Sequence, residues 1–305
     1  MLIAKARRLI DLVHEIRARL ERVQEALGRI ELRQSAAQGG TDLESAEFRV
    51  FSQWGEDGII QRLLREVPVE RKVFVEFGVQ DYSEANTRFL LSNDNWSGLI
   101  MDGDRAHIAK VRRDPLYWRF NLKAECAFVD RDNINELIRD NGIEGDIGLL
   151  SIDIDGNDYW VWQAVTCVQP RVLVLEYNAL FGPRAAVTVP YDPGFVRTRA
   201  HYSNLFWGAS LEALTRLSRE KGYALVGCNS AGNNAFYVRA DLRGRLAEKA
   251  VESAFVQAQF RESRDAAGLP TYLDLHESRL LIGEMNLWDV DAQALVPARA
   301  ALAAD

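Results

Sequence analysis

Five short apolar runs, set apart by intervals long enough to hold a helix, constrain this chain more than any other feature. They cover residues 73–79, 98–102, 127–130, 147–155 and 172–178. Strands joined by helical crossovers run parallel, and a parallel sheet needs both faces covered, so the spacing predicts a doubly wound α/β fold. Downstream, a helix over about 210–221 leads to strands at 223–228 and 235–239, separated by the turn-rich Asn229-Ser-Ala-Gly-Asn-Asn234. That pattern reads as a closing β-hairpin, giving a Rossmann-like sheet of seven strands. Residues 48–240 form this domain.

The ends of the runs carry acids. Lys72-Val-Phe-Val-Glu-Phe-Gly78 finishes in Glu-x-Gly, and some twenty residues later the second run ends in Asp102. An acid at the tip of the second strand of a βαβ unit is placed to accept hydrogen bonds from a ribose diol, with Asp104 the near alternative. The pair points to a nucleoside-containing cofactor. The first loop reads Gly78-Val-Gln-Asp81, without the later glycines that let backbone approach a pyrophosphate, which argues against NAD or FAD.

Residues 1–35 hold a heptad repeat, with Ala6, Val13, Leu20 and Leu27 at a and Leu2, Leu9, Ile16, Val23 and Ile30 at d. Leu at a with Ile at d favours three or four strands, so the expectation is a coiled-coil helix and a homo-oligomer, trimer or tetramer. Packing back on its own domain is the other use of such a face. Lys5, Arg7, Arg8, Arg17, Arg19 and Arg22 would also suit a peripheral place at an inner membrane, an idea weakened by Asp11, Glu15 and Glu21. Residues 36–47 read as a linker, on the small polar stretch Gln34 to Asp42, and 241–305 as a helical, then mixed extension in which Leu280, Leu281, Ile282, Leu287 and Trp288 pack on the domain. A net charge of −7 supplies no general attraction to polyanions, so nucleic acid is not expected as a partner. Cys126, Cys167 and Cys228, without Cys-x-x-Cys spacing, read as buried reduced thiols, and no apolar run is long enough to span a bilayer. Together these predict a cytoplasmic protein.

Phe51-Ser-Gln-Trp-Gly-Glu-Asp-Gly-Ile-Ile60, Val75-Glu-Phe-Gly78 with Asn86-Thr87, and Ile152-Asp-Ile-Asp-Gly156 resemble the FkbM-like branch of the class I S-adenosylmethionine-dependent methyltransferases. The resemblance implies S-adenosyl-L-methionine as cofactor and O-methylation of a sugar hydroxyl in a polysaccharide, glycolipid or related glycan. It places Glu76 near the methionine portion, Asp102 on the ribose, and Phe128, Val129 and Asp130 around the adenine. Gly78 and Asp153 are assigned to the same cofactor wall. A natural-product methyltransferase and a non-catalytic coiled-coil scaffold are the competing functions.

Transfer of a methyl group to an alcohol requires alignment and removal of a proton. Two groups of polar residues stand where the central strands end. In Ser151-Ile-Asp-Ile-Asp155, strand alternation would put Ser151, Asp153 and Asp155 on one side; in Glu176-Tyr-Asn178, Glu176 and Asn178 share a face. Asp155, Glu176 and Asn178 offer three oxygens to Mg²⁺ or a similar hard ion, while a hydrogen-bonded carboxylate cluster is the alternative. Of four histidines, His201 lies in a loop able to cover the cleft and is the expected general base, with Asp155 as its catalytic partner. His14 and His107 sit in helices, and His276 reaches the cleft only if the extension folds over it.

Overall fold

The computed structural model describes residues 2–38 and 42–303. A long helix, α1 (Leu2–Gln38), leads to the short α2 (Glu56–Glu66) and then into the sheet: β1 (Val73–Phe77), α3 (Arg88–Asp94), β2 (Ser97–Asp102), β3 (Leu122–Cys126), β4 (Gly145–Ile152) and β5 (Val168–Glu176). After β6 (Val187–Thr188) come the hairpin strands β7 (Tyr223–Cys228) and β8 (Asn234–Arg239), and last β9 (Asn286–Asp289) and β10 (Ala294–Pro297). The seven-stranded sheet has the order β3-β2-β1-β4-β5-β8-β7, as expected of a doubly wound fold with a closing hairpin. β1 pairs in parallel with β2 and β4, and β8 runs antiparallel to both β5 and β7.

The central strands are buried on both faces because their side chains are apolar in succession. Phe74, Leu149 and Val172 pack on one face, and Val75, Leu150 and Leu173 on the other. This sequence of partners puts the carboxyl ends of β1, β4 and β5 side by side. The strand expected at 127–130 lies earlier, at Leu122–Cys126, and its exposed Lys123 and Cys126 break the apolar run. β3 is the sheet's edge, so half of it needs no apolar side chain. Cys126 is accordingly exposed, whereas Cys167 and Cys228 are buried.

The helix α1 extends through Gln38, beyond the expected end at 35 and into the predicted linker, whose residues 39–41 lie outside the described residues. Its second half docks on the domain. The Gln24 amide donates to the Val50 carbonyl, Arg88 Nη2 to Glu21 at 3.2 Å and Arg65 Nη2 to the Leu32 carbonyl at 3.0 Å. Gly28 is buried at this contact, where a Cβ would meet Val50 and Phe89. Leu27 precedes Gly28 by about 100° of helical turn and faces elsewhere. Leu9, Val13, Ile16, Leu20, Val23, Leu27 and Ile30 are each 48% to 63% exposed, so docking leaves the heptad seam uncovered. The side chains of Leu2, Ala6 and His14 lie outside the described set.

The C-terminal extension packs at the carboxyl edge of the sheet. β9 pairs with β6, and Ile282, Leu287, Ala298 and Leu302 form a small core with Leu180, Phe181, Val187 and Phe206. Leu280 corrects the sequence reading: it is exposed. No helix among the described residues is long and apolar enough to cross a membrane.

Candidate functional site

The cleft is built by backbone as much as by side chains. Gly78 has φ +73°, and a Cβ there would lie 1.5 Å from the Asp153 carbonyl oxygen, so only glycine lets the turn after β1 lie against the turn after β4. A packing requirement thus underlies the glycine of Glu-x-Gly. Two residues earlier, Glu76 is buried and accepts hydrogen bonds from the Asn86 amide at 2.8 Å and from the Thr87 amide and hydroxyl. Asn86 in turn donates from Nδ2 to Ser151 Oγ at 3.0 Å, tying α3 to the floor of the cleft.

A cavity of about 650 Å³ opens beside these turns, lined by Gly78, Asp102, Phe128, Val129, Asp153 and Asp155, among others. The structure therefore brings most of the expected cofactor residues to one space. Asp102 Oδ2 accepts from the Gln80 amide and Oδ1 from the Asp104 amide, both at 2.8 Å, and Oδ1 also lies 3.3 Å from His107 Nδ1, which fixes the carboxylate while leaving Oδ2 a second lone pair. Phe128 is half exposed on the loop after β3. Glu76 opens instead onto a smaller polar recess of about 120 Å³ shared with Gln53, Asp153 and Asn234.

Where the cleft meets β5, the carboxylate oxygens of Asp153, Asp155 and Glu176 lie within 4.8 Å of one another. Strand alternation does not produce this. β4 stops at Ile152, and Asp153 and Asp155 sit in the turn beyond it, Asp155 with φ +57°. Burial, then mutual repulsion among these acids, pushes the Asp153 and Glu176 carboxyls well above the usual carboxylate range. Glu176 Oε2 is buried without a hydrogen-bond partner. Among the described residues one cation faces the group: Arg197 Nη1 donates to Asp155 Oδ1 at 2.7 Å, while its other end pairs with Glu262 and its guanidinium carbon lies 4.4 Å from the Trp207 ring centre. Nothing in the spacing of the sequence distinguishes Arg197 or Glu262, which reach the site from the start of the short helix Arg197–Ala200 and from the C-terminal extension.

Two expected members are elsewhere. Asn178 caps the short helix Ala179–Phe181, its Oδ1 accepting from the Leu180 amide and its Nδ2 donating to the carbonyls of Leu205 and Trp207. Its oxygen is thus engaged in the cap, and the carboxylate that stands with Asp155 and Glu176 is that of Asp153. His201 bonds Ser203 Oγ through Nδ1 at 2.7 Å, stacks near Tyr202, and does not line the cleft; burial lowers its pKa. His107 lies 3.3 Å from Asp102 and serves that loop.

The motif at 51–60 proves structural. Asp57 accepts three backbone amides, of Val50, Phe51 and Ser52, together with the Ser52 hydroxyl, all within 2.9 Å. Glu56 Oε1 accepts from Asn229 and Asn234, holding the β7–β8 turn against the same loop and so carrying Gln53 and Asn234 to the polar recess.

No family model and no curated protein matches the chain. Among solved structures it is similar to an S-adenosylmethionine-dependent methyltransferase from Clostridium acetobutylicum at 11% identity, over 60% of this chain and 88% of that one, with a TM-score of 0.38. The N-terminal domain of EvdMO1 with SAH bound is similar at 9% identity, over 69% of this chain and 94% of that one, TM-score 0.41. An O-methyltransferase from Bacillus cereus in complex with SAH is similar at 12% identity, over 68% and 87%, TM-score 0.36.

Burial pushes the Glu76 carboxyl up to about 7, against the pull of the Thr87 hydroxyl and the Asn86 and Thr87 amides. An acid raised on folding stabilises the fold while protonated, so its contribution is complete below the ordinary 4.5 and is lost as pH rises through about 7. The melting temperature of the ligand-free protein is expected to fall from about pH 5 to pH 8, and Glu76→Gln to flatten that fall. Parallel profiles for the two proteins in scanning fluorimetry would contradict this assignment.

Proposed function

We propose that the chain is an S-adenosylmethionine-dependent O-methyltransferase acting on a sugar hydroxyl. The observation that carries the reading is one cleft at the carboxyl edge of the sheet, holding a ribose-type acid, an apolar loop and an acid group at its inner end. Asp102 accepts the two ribose hydroxyls, Phe128 and Val129 flank the base, and the recess of Gln53, Glu76 and Asn234 takes the amino-acid end. The bound cofactor supplies a methyl carbon made electrophilic by its sulfonium. Asp155, the exposed member of the acid group, takes the hydroxyl proton as the oxygen bonds to that carbon, while the carbon–sulfur pair of electrons stays on sulfur. The products are the methyl ether and S-adenosylhomocysteine.

The acid group argues against a scaffold that has lost turnover. Three carboxylates facing one guanidinium, with a buried oxygen unpartnered, cost stability that a structural protein gains nothing by keeping. The same arrangement fits a hard divalent ion. Asp153, Asp155 and Glu176 would hold Mg²⁺, which lowers the pKa of an oxygen bound to it.

Calorimetry with S-adenosylhomocysteine tests the cofactor. Binding is expected, weakened about tenfold or more by Asp102→Ala, as loss of a charge-assisted hydrogen bond implies. No heat of binding to the wild-type protein would end the methyl-transfer reading. For the metal, Mg²⁺ should bind the purified protein and bind Glu176→Gln about tenfold or more weakly; methyl transfer undiminished by EDTA would remove the ion from the scheme.

We also infer that the uncovered seam of α1 receives further copies of this chain. A strict three-and-four spacing over four heptads is matched along its length by another helix of the same repeat, whereas a membrane surface asks for a broader apolar face. Leu20→Glu with Leu27→Glu is expected to bring the mass in light scattering down to one chain while leaving the circular dichroism of the folded domain. A mass identical to wild type would refute the assembly, as would a wild-type monomer.

A further inference from the structure

A second cavity, of about 420 Å³, is lined in part by Glu262, the ion-pair partner of Arg197 on the wall of the cofactor cleft. Its size falls within the roughly 300–1,000 Å³ of small-molecule sites. One wall is the segment just beyond β5, with Tyr177, Asn178 and Leu180; the opposite wall is the C-terminal extension between Gln257 and Ser278. The extension is fastened there: the Tyr177 hydroxyl donates to the Val256 carbonyl at 2.8 Å, and Phe260 stacks on Trp54 with ring centres 5.5 Å apart.

The wall's chemistry identifies a ligand class. Its charged groups are already committed. Glu262 pairs with Arg197, Asp274 caps the helix Leu275–Leu281 by accepting from the Glu277 amide, and Arg261 donates to the Tyr272 carbonyl. The side-chain amides of Gln257 and Gln259, by contrast, are exposed and carry no hydrogen bond among the described residues. An amide offers both donors and acceptors, the combination that reads vicinal hydroxyls, and Trp207 and Phe260 add aromatic surface.

Resting on the methyl-transfer reading above, we propose that this cavity is the acceptor subsite, built for a neutral glycosyl unit by residues 257–278 of the extension. Arg197, on the wall of the cofactor cleft, links the two cavities through its ion pair with Glu262 on the acceptor wall. It holds Asp155 on the cofactor side and Glu262 on the acceptor side, so the acceptor hydroxyl must reach Asp155 across this ion-paired guanidinium. The extension is then part of the enzyme's specificity rather than an added covering.

The test uses the full chain loaded with S-adenosylhomocysteine and p-nitrophenyl glycosides of neutral hexoses as probes, read by saturation-transfer NMR, and the same probes with S-adenosylmethionine in a turnover assay. Wild type is expected to bind and methylate at least one probe. Gln257→Leu with Gln259→Leu should raise KM for it about tenfold or more while leaving S-adenosylhomocysteine affinity unchanged, and Gln259→Trp, which fills the cavity from an exposed position, should abolish probe binding. Retained cofactor-product binding with unaltered probe KM in both variants overturns the subsite, as does binding of none of the probes by the wild type. Failure of S-adenosylhomocysteine to bind is a different outcome: it removes the methyl-transfer reading and this inference with it.

Discussion

Burial of carboxylates along one edge of the sheet is the constraint around which the molecule is arranged. Asp57, Glu76, Asp153, Asp158 and Glu176 all have pKa values pushed up by removal from water. The partners of each acid sort them into two kinds. Asp57 accepts three amides and a hydroxyl, Glu76 two amides and a hydroxyl, and Asp158 the amides of Ile154 and Gly156 at 2.9 Å. In each case a turn supplies donors to the carboxylate, so the acid fixes the turn, although the buried Oδ1 of Asp57 is left without a partner among the described residues. Asp153, Asp155 and Glu176 face each other and Arg197 instead. Their mutual repulsion, met by Arg197, sets this group apart from the turn-bound acids.

The structural acids explain why the cleft is stiff. Asp57 and Glu56 bind the loop before α2 to the β7–β8 turn, Glu76 holds the start of α3, and Asp158 closes the turn that carries Asp153 and Asp155. These turns border the polar recess or the larger cavity, so groups that would contact a ligand rest on backbone already tied down. Preorganisation of this kind lowers the ordering cost of binding.

Glu76, Asp102 and Glu176 were legible because each answers a local rule: an apolar run, its polarity change, and the turn after it; the stretch 51–60 stood out only through a family resemblance. What was misplaced depended on distance. Asn178 shares a face with Glu176 in an ideal strand, yet β5 ends at Glu176 and the next turn spends the Asn178 side chain on capping. His201 stands in the right stretch of chain, but its ring bonds Ser203, two residues away. The third strand was displaced because an edge strand alternates with charged residues and lacks the apolar run that marks a buried one. Arg197 and Glu262, 65 residues apart in the chain, carry no periodic signal at all.

By itself the sequence determined the period of each element. Apolar runs with helical intervals dictate a parallel sheet, Gly78 a close turn, and the three-and-four repeat of residues 2–30 a long helix with one apolar seam. Only the tertiary structure decided which faces remain open and which charges meet. Docking through Gly28 occupied one side of α1 and left the seam bare, and folding of residues 255–278 across the end of β5 brought Glu262 to Arg197 and enclosed a second cavity. The division has a physical origin. Local periodicity is set by backbone geometry within a few residues, whereas the pairing of a buried charge depends on every segment that displaces water around it.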